Sequence, residues 1–174
     1  EVTFAPTRLN IAELPDAITR ARELGAFRFN TGALMRIGNA AKNWRKLEPT
    51  AAQYETFRAE LDRNARAGTG EMELAYLPFR MEDGLRQALD EPPATLLVLP
   101  NGRVKASAAL PYLVADLRRH SLAQAWQRYC DAWHGRTVRD AMARAIAEPA
   151  SHAGATALQE LAPASADPEE GGHP

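Results

Sequence analysis

The stretch from Thr3 to Asn43 constrains this chain most, because it reads as strand, helix, strand and glycine loop in immediate succession. Val2–Phe4 is a short β-rich run stopped by Pro6. Asn10 stands where a helix would be capped, and Glu13 three residues on completes the pattern of a capping box. Ile11, Leu14, Ala17, Ile18, Ala21 and Leu24 then recur at three- and four-residue steps, which places them on one helical face. Gly25 follows, where a residue with positive φ commonly ends a helix. Phe27, Phe29 and Thr31 alternate with polar neighbours as a second strand does. A strand, a helix and a strand at this spacing predict a βαβ unit with parallel strands and a right-handed crossover.

Beyond it lies RIGNAAKNWRKLEPT, where Arg36, Lys42, Arg45 and Lys46 make a basic loop around Trp44. Thr50 is the expected N-cap of the next helix, with Tyr54, Phe57 and Leu61 as its apolar stripe and Gly68 and Gly70 at its end. Glu71–Leu77 alternates as a strand and Pro78 stops it. Met81–Leu89 has the pattern of a short helix weakened by Gly84, and Pro92-Pro93 marks a boundary. In ATLLVLPNGRVKASAAL, the pair Asn101-Gly102 between two β-rich runs predicts a hairpin over Thr95–Ala109, both turn residues having positive φ. Ser121 then caps a helix whose shared face is Leu122, Ala125, Trp126, Tyr129 and Cys130, extended by Trp133. Gly135 breaks it, and Thr137 caps a second helix carrying Val138, Met142 and Ile146. From Pro149 onward Ala, Pro, Ser, Gly and Glu dominate, without Lys, Arg or aromatic residues. Such a segment buries too little apolar surface to offset the entropy of ordering, so residues 149–174 read as a disordered acidic tail with at most a turn of helix at Thr156–Leu161.

A net charge of −1 over 174 residues gives no global field of the kind that gathers nucleic acid or anionic lipid. No apolar run approaches the roughly 20 residues that span a bilayer. The expected partners therefore include no nucleic acid and no membrane. Cys130 is the sole cysteine, which excludes an intrachain disulfide framework and suggests a reducing, cytoplasmic setting. Glu1 stands directly before a strand of buried type, so the chain is expected to be an excerpt or the C-terminal half of something longer. His120, His134, His152 and His173 are scattered, and no pair stands at i,i+3 or i,i+4. There is no P-loop, GxGxxG, GxSxG or zinc-finger spacing. Read from the residues alone, the chain carries no self-contained catalytic constellation and no metal-ligand set.

The order of several short motifs nevertheless resembles a known family. Asn10, Leu24-Gly25, and Leu34-Met35 with Gly38 and Ala40 are similar to the later part of a radical S-adenosylmethionine (SAM) barrel, where a strand is followed by a loop of form L-M-x-x-G-x-A. Leu47, Pro49 and Thr50 resemble the L-x-P-T before that family's next helix. Leu99-Pro100-Asn101-Gly102, Val104, Asp116-Leu117, Ser121-Leu122 and Trp126 resemble a SPASM-type extension, as found in the peptide-modifying, pyrroloquinoline quinone peptide maturase-like group. The departure is equally specific. Ser107 stands where that extension has a cysteine, Ala115 where it has a glycine, and no later cysteine cluster follows.

The resemblance implies an α/β fold: a partial (β/α) radical SAM-type barrel over residues 1–77, a linker at 78–93, and a degenerate SPASM-like hairpin plus helices over 94–148. In that family a CxxxCxxC loop holds a [4Fe–4S] cluster that cleaves SAM to a deoxyadenosyl radical. That loop would lie outside this chain, and no auxiliary cluster is expected, because four thiolates normally hold one. By position the resemblance assigns cofactor contact, to SAM, to Asn30, Thr31, Leu34 and Met35. It implies a peptide or protein substrate and the missing N-terminal half of the barrel as partners, with the hairpin region capping a peptide cleft. Two further readings stay open: a non-catalytic peptide- or partner-binding module on a degenerate SPASM-like scaffold, and an ordinary α/β domain.

Overall fold

In the computed structural model, which describes residues 1–67 and 72–161, the strand–helix–strand is present. β1 (Val2–Phe4) and β2 (Arg28–Thr31) are parallel, with Val2 opposite Phe29 and Phe4 opposite Thr31. Between them a 3₁₀ turn at Ile11–Glu13 leads into α1 (Leu14–Glu23), which has Pro15 in its first turn. The capping box expected at Asn10 and Glu13 does not form. The Asn10 side-chain oxygen instead accepts from the Thr7 backbone N–H at 2.7 Å and the Thr7 hydroxyl at 2.9 Å, so it is committed to the preceding turn. Gly25 has φ +71° as expected, and the chain reverses there early enough to leave Leu24 67% exposed rather than on the buried stripe.

The basic stretch expected as a loop holds two short helices, α2 (Gly38–Lys42) and α3 (Trp44–Leu47). α4 (Ala51–Arg66) follows with a complete capping box: the Thr50 hydroxyl accepts from the Gln53 N–H at 3.2 Å, and the Gln53 side chain accepts from the Thr50 N–H at 2.9 Å. Gly68, Gly70 and Glu71 lie outside the described residues. β3 (Glu73–Ala75) then pairs parallel to β2, so the sheet order β1-β2-β3 follows the chain order. Its core is aromatic. Phe29 is fully buried, and Phe4 stacks on it at 6.2 Å and on Phe57 at 6.1 Å, while Phe57 meets Phe79 at 6.2 Å. Ile11, Leu14, Ile18, Ala21 and Leu61 complete this cluster.

These elements make up one compact unit, Glu1–Leu85, and the chain from Arg86 makes up a second. α5 (Met81–Asp90) runs across the division, so part of the expected linker is helical. In the second unit β4 (Leu97–Val98), β5 (Arg103–Lys105), β6 (Tyr112–Asp116) and β7 (Gln159–Glu160) form a sheet in that order. β4 and β5 are the expected antiparallel hairpin, but its turn differs from the expected two-residue type. Among described residues only glycines have positive φ, so Asn101 does not, and Gly102 at φ +80° does. Leu99 N–H donates to Arg103 O at 2.8 Å, closing the three residues Pro100-Asn101-Gly102. A proline followed by a left-handed glycine in a three-residue connection gives this geometry.

β6 was not foreseen. It pairs antiparallel to β5, with a bulge at Val104/Lys105, and its Leu113–Asp116 stretch is buried throughout. α6 (Leu122–His134) has the expected Ser121 cap, completed by Gln124. Its buried face is Ala125, Tyr129, Ala132 and Trp133; Leu122 and Trp126 are exposed and Cys130 is half-buried. The face is thus rotated toward the small alanines, which allow closer packing. α7 (Arg136–Ala147) begins at Gly135 rather than at a Thr137 cap and buries Val138, Ala141, Met142 and Ala145.

The expected acidic tail is corrected over its first part. Residues Pro149–Thr156 form a 3₁₀ helix that buries His152 and Ala155, and β7 then pairs parallel to β6. Gln159 N–H donates to Pro111 O at 3.0 Å and Leu161 N–H to Leu113 O at 2.9 Å. Small side chains bring little apolar area but let the backbone approach closely enough to hydrogen-bond, and composition does not register that gain. The remainder of the expected tail, residues 162–174, lies outside the described residues.

Candidate functional site

Parallel strands align their carboxyl ends, and ligands of α/β sheets bind beyond such ends. Here that edge is set by Phe4, Thr31 and Ala75, and the loops leaving it span residues 5–10, 32–37 and 76–80. All four residues assigned to SAM by resemblance lie at this edge. Asn30 and Thr31 end β2; Leu34 is half-buried and Met35 is 45% exposed in the loop that follows.

Their polar groups are largely engaged. The Asn30 side-chain amide donates to the Glu1 carboxylate, and the Thr31 hydroxyl donates to Phe4 O at 2.8 Å, leaving its oxygen able to accept. The Leu34 N–H donates to the Tyr54 hydroxyl oxygen at 2.9 Å. The neighbouring Ala33 N–H donates to Phe79 O at 2.7 Å. Gly32 is required by this approach, since a Cβ there would lie 3.0 Å from the Phe79 carbonyl oxygen. The loops after β2 and β3 are therefore fastened together, with Tyr54 as the third member.

Around this knot sit cations on aromatic rings. The Arg80 guanidinium lies over Tyr54 at 5.9 Å, Arg58 over Phe79 at 5.0 Å and Arg36 over Trp44 at 5.5 Å. Tyr54 and Phe79 meet edge to face at 5.9 Å. Arg36 Nε is buried without a hydrogen-bond partner among the described residues. Burial raises the Tyr54 hydroxyl above its ordinary pKa, so it remains a protonated donor near neutral pH. A rim that offers guanidinium and hydroxyl protons suits an anionic group.

For the site, sequence reasoning named residues of β2 and the loop after it, and it did not name Tyr54 or Arg80, which the fold brings to the same edge. Tyr54 was legible only as part of an apolar stripe. The pair Phe79-Arg80 just past Pro78, an aromatic and a cation following a strand, was the available signal.

Two other places have chemical character. A groove of about 360 Å³ runs along Ile11, Leu14, Pro15, Ala52 and Phe57. Its polar lining is spent, Gln53 on the α4 cap and Arg8 O, and the Thr56 hydroxyl on Ala52 O. In the second unit Lys105 is only 6% exposed, and its ammonium donates to Ala155 O at 3.0 Å and Ala108 O at 3.3 Å. Desolvation lowers its pKa. Ser107 is bonded locally, its hydroxyl oxygen accepting from the Ala109 N–H at 3.3 Å. The surroundings of Ser107 do not fit an iron–sulfur cluster, for they offer an ammonium and a hydroxyl instead of thiolates. Among the described residues no group of three or more His, Cys, Asp or Glu is placed to hold a metal ion. None of their helices is long and apolar enough to cross a membrane. No family model, no curated protein and no solved structure matches the chain.

Proposed function

We propose that this chain is the C-terminal portion of a cytoplasmic radical SAM enzyme that modifies a ribosomal peptide, with its cluster-bearing CxxxCxxC loop outside these residues. The observation that carries the reading is the sheet order β1-β2-β3: three parallel strands added in chain order, each joined to the next through helix. The motif residues Leu34, Met35 and Gly38 follow the carboxyl end of β2, the edge at which such enzymes bind SAM. Bound SAM and one [4Fe–4S] cluster would supply the radical chemistry. Within this chain Leu34 and Met35 offer apolar surface for an adenine, and the Thr31 oxygen offers an acceptor. Tyr54 and Gly32 position the loop that presents them.

A non-catalytic peptide-binding module is the second reading. One observation favours it: β4 is an edge strand with both Leu97 and Val98 exposed, the arrangement that accepts an added peptide strand.

Iron separates the two. Reconstituted anaerobically with iron and sulfide, this chain alone is expected to bind none, because Cys130 is its one thiol. A longer protein carrying CxxxCxxC in the same frame is expected to bind about four irons in one cluster. Absence of that sequence upstream would leave the binding module as the better reading, and stoichiometric iron on this chain would refute the ligand count.

A further inference from the structure

We propose that the rim beyond β1, β2 and β3 binds an acidic peptide, with Arg36 and Arg80 holding carboxylate side chains and the Tyr54 hydroxyl donating to one of them. This rests on reading the rim as the ligand-facing edge of the proposed enzyme, and it adds the class of substrate. Arg36 and Arg80 stand on different loops, yet both loops are tied to the same tyrosine neighbourhood through the Leu34 N–H to Tyr54 bond and the Ala33 N–H to Phe79 bond. Each guanidinium is oriented by an aromatic ring, Trp44 or Tyr54, which leaves its N–H edge for another acceptor. No carboxylate bonds either arginine among the described residues, whereas Arg20, Arg28 and Arg63 are all paired. The Tyr54 oxygen already accepts from Leu34, so its proton is the part left to give. The segment after β2 is cationic as well: residues 32–50 hold Arg36, Lys42, Arg45 and Lys46 against Glu48 alone, while Glu82, two residues past Arg80, also bears on the Tyr54 hydroxyl.

A peptide fits better than a small acid because the cations are spread and apolar surface stands between them in the chain. The exposed Met35 separates Leu34, whose N–H is bonded to the Tyr54 hydroxyl, from Arg36, and Leu34 adds its own apolar side chain. A chain with acidic side chains flanking an apolar one matches that sequence of donors and apolar surface.

The test uses the full 174-residue chain and a fluorescein-labelled peptide of glutamate and leucine, with its glutamine counterpart, read by anisotropy at low salt. Saturable binding of the glutamyl peptide is expected, and none of the glutaminyl one. Arg36→Gln and Arg80→Gln should each weaken binding about tenfold, the effect of losing one charge-assisted hydrogen bond. Arg20→Gln, on α1 and paired with Glu23, should not. Tyr54→Phe should weaken binding with the helical circular dichroism unchanged. Equal binding of both peptides would overturn the proposal, as would Arg36 and Arg80 variants that bind like Arg20→Gln. Displacement by an equal concentration of free glutamate would overturn it too, since the rim would then read a small acid. None of these failures touches the iron content of the longer protein, so the two readings fail separately.

Discussion

Phe57→Ala is expected to destabilise the N-terminal unit by about 3–5 kcal/mol, the usual range for removing a buried phenylalanine. Phe57 is 2% exposed, and its ring lies between Phe4 at 6.1 Å and Phe79 at 6.2 Å. Truncation therefore leaves a cavity lined by rings that cannot collapse without moving β1 or the loop after β3. Domains of this size have about 5–15 kcal/mol in total, so the variant should lose most of its cooperative unfolding. Urea denaturation followed by circular dichroism measures it, and a loss below about 1 kcal/mol would show that the aromatic core is not assembled as described. Leu24→Ala is the matched control. The helical stripe counts Leu24 as core, but it is 67% exposed, and its truncation should cost little.

Deleting residues 149–174 is expected to unsettle the second sheet as severely. The deletion removes β7 from β6, strips His152 and Ala155 from buried positions, and takes one carbonyl acceptor from the Lys105 ammonium. A buried charge that loses a partner costs about 1–3 kcal/mol or more, before any loss of apolar cover is counted. Hydrogen exchange at the amides of Leu113–Ala115 reads the effect directly, and dye binding to newly exposed apolar surface should accompany it. Unchanged protection there would mean that the segment has no structural role, as its composition alone suggests.

The legible and the hidden parts of the fold divide along physical lines. The βαβ unit, the Thr50 and Ser121 caps and the hairpin were legible because each leaves a periodic or local chemical mark. β6 was not, because Tyr112–Asp116 is buried almost throughout and so lacks the alternation of a half-exposed strand. Residues 149–160 were missed for the opposite reason, since alanine and glycine carry no pattern and their order comes from backbone bonds and from Lys105. At the rim, spacing placed Tyr54 on a stripe but could not say how far its hydroxyl reaches. The knot among Leu34, Tyr54 and Phe79 depends on three segments separated in the chain, so no local window contains it.

Lys105 carries one more consequence, for proton linkage. Its ammonium is taken out of water onto two carbonyl dipoles, with no carboxylate among its hydrogen-bond partners. Folding therefore lowers its proton affinity below the ordinary lysine value of 10.5, and desolvation is the cause. Between the lowered folded value and 10.5 the unfolded chain holds more protons than the native one, so raising the pH through that window favours the native state. Below the window both states are protonated and the full desolvation cost is present. The native state thus carries a group whose desolvation cost falls toward alkaline pH, the reverse of the pH dependence that a lysine in an ordinary ion pair would give.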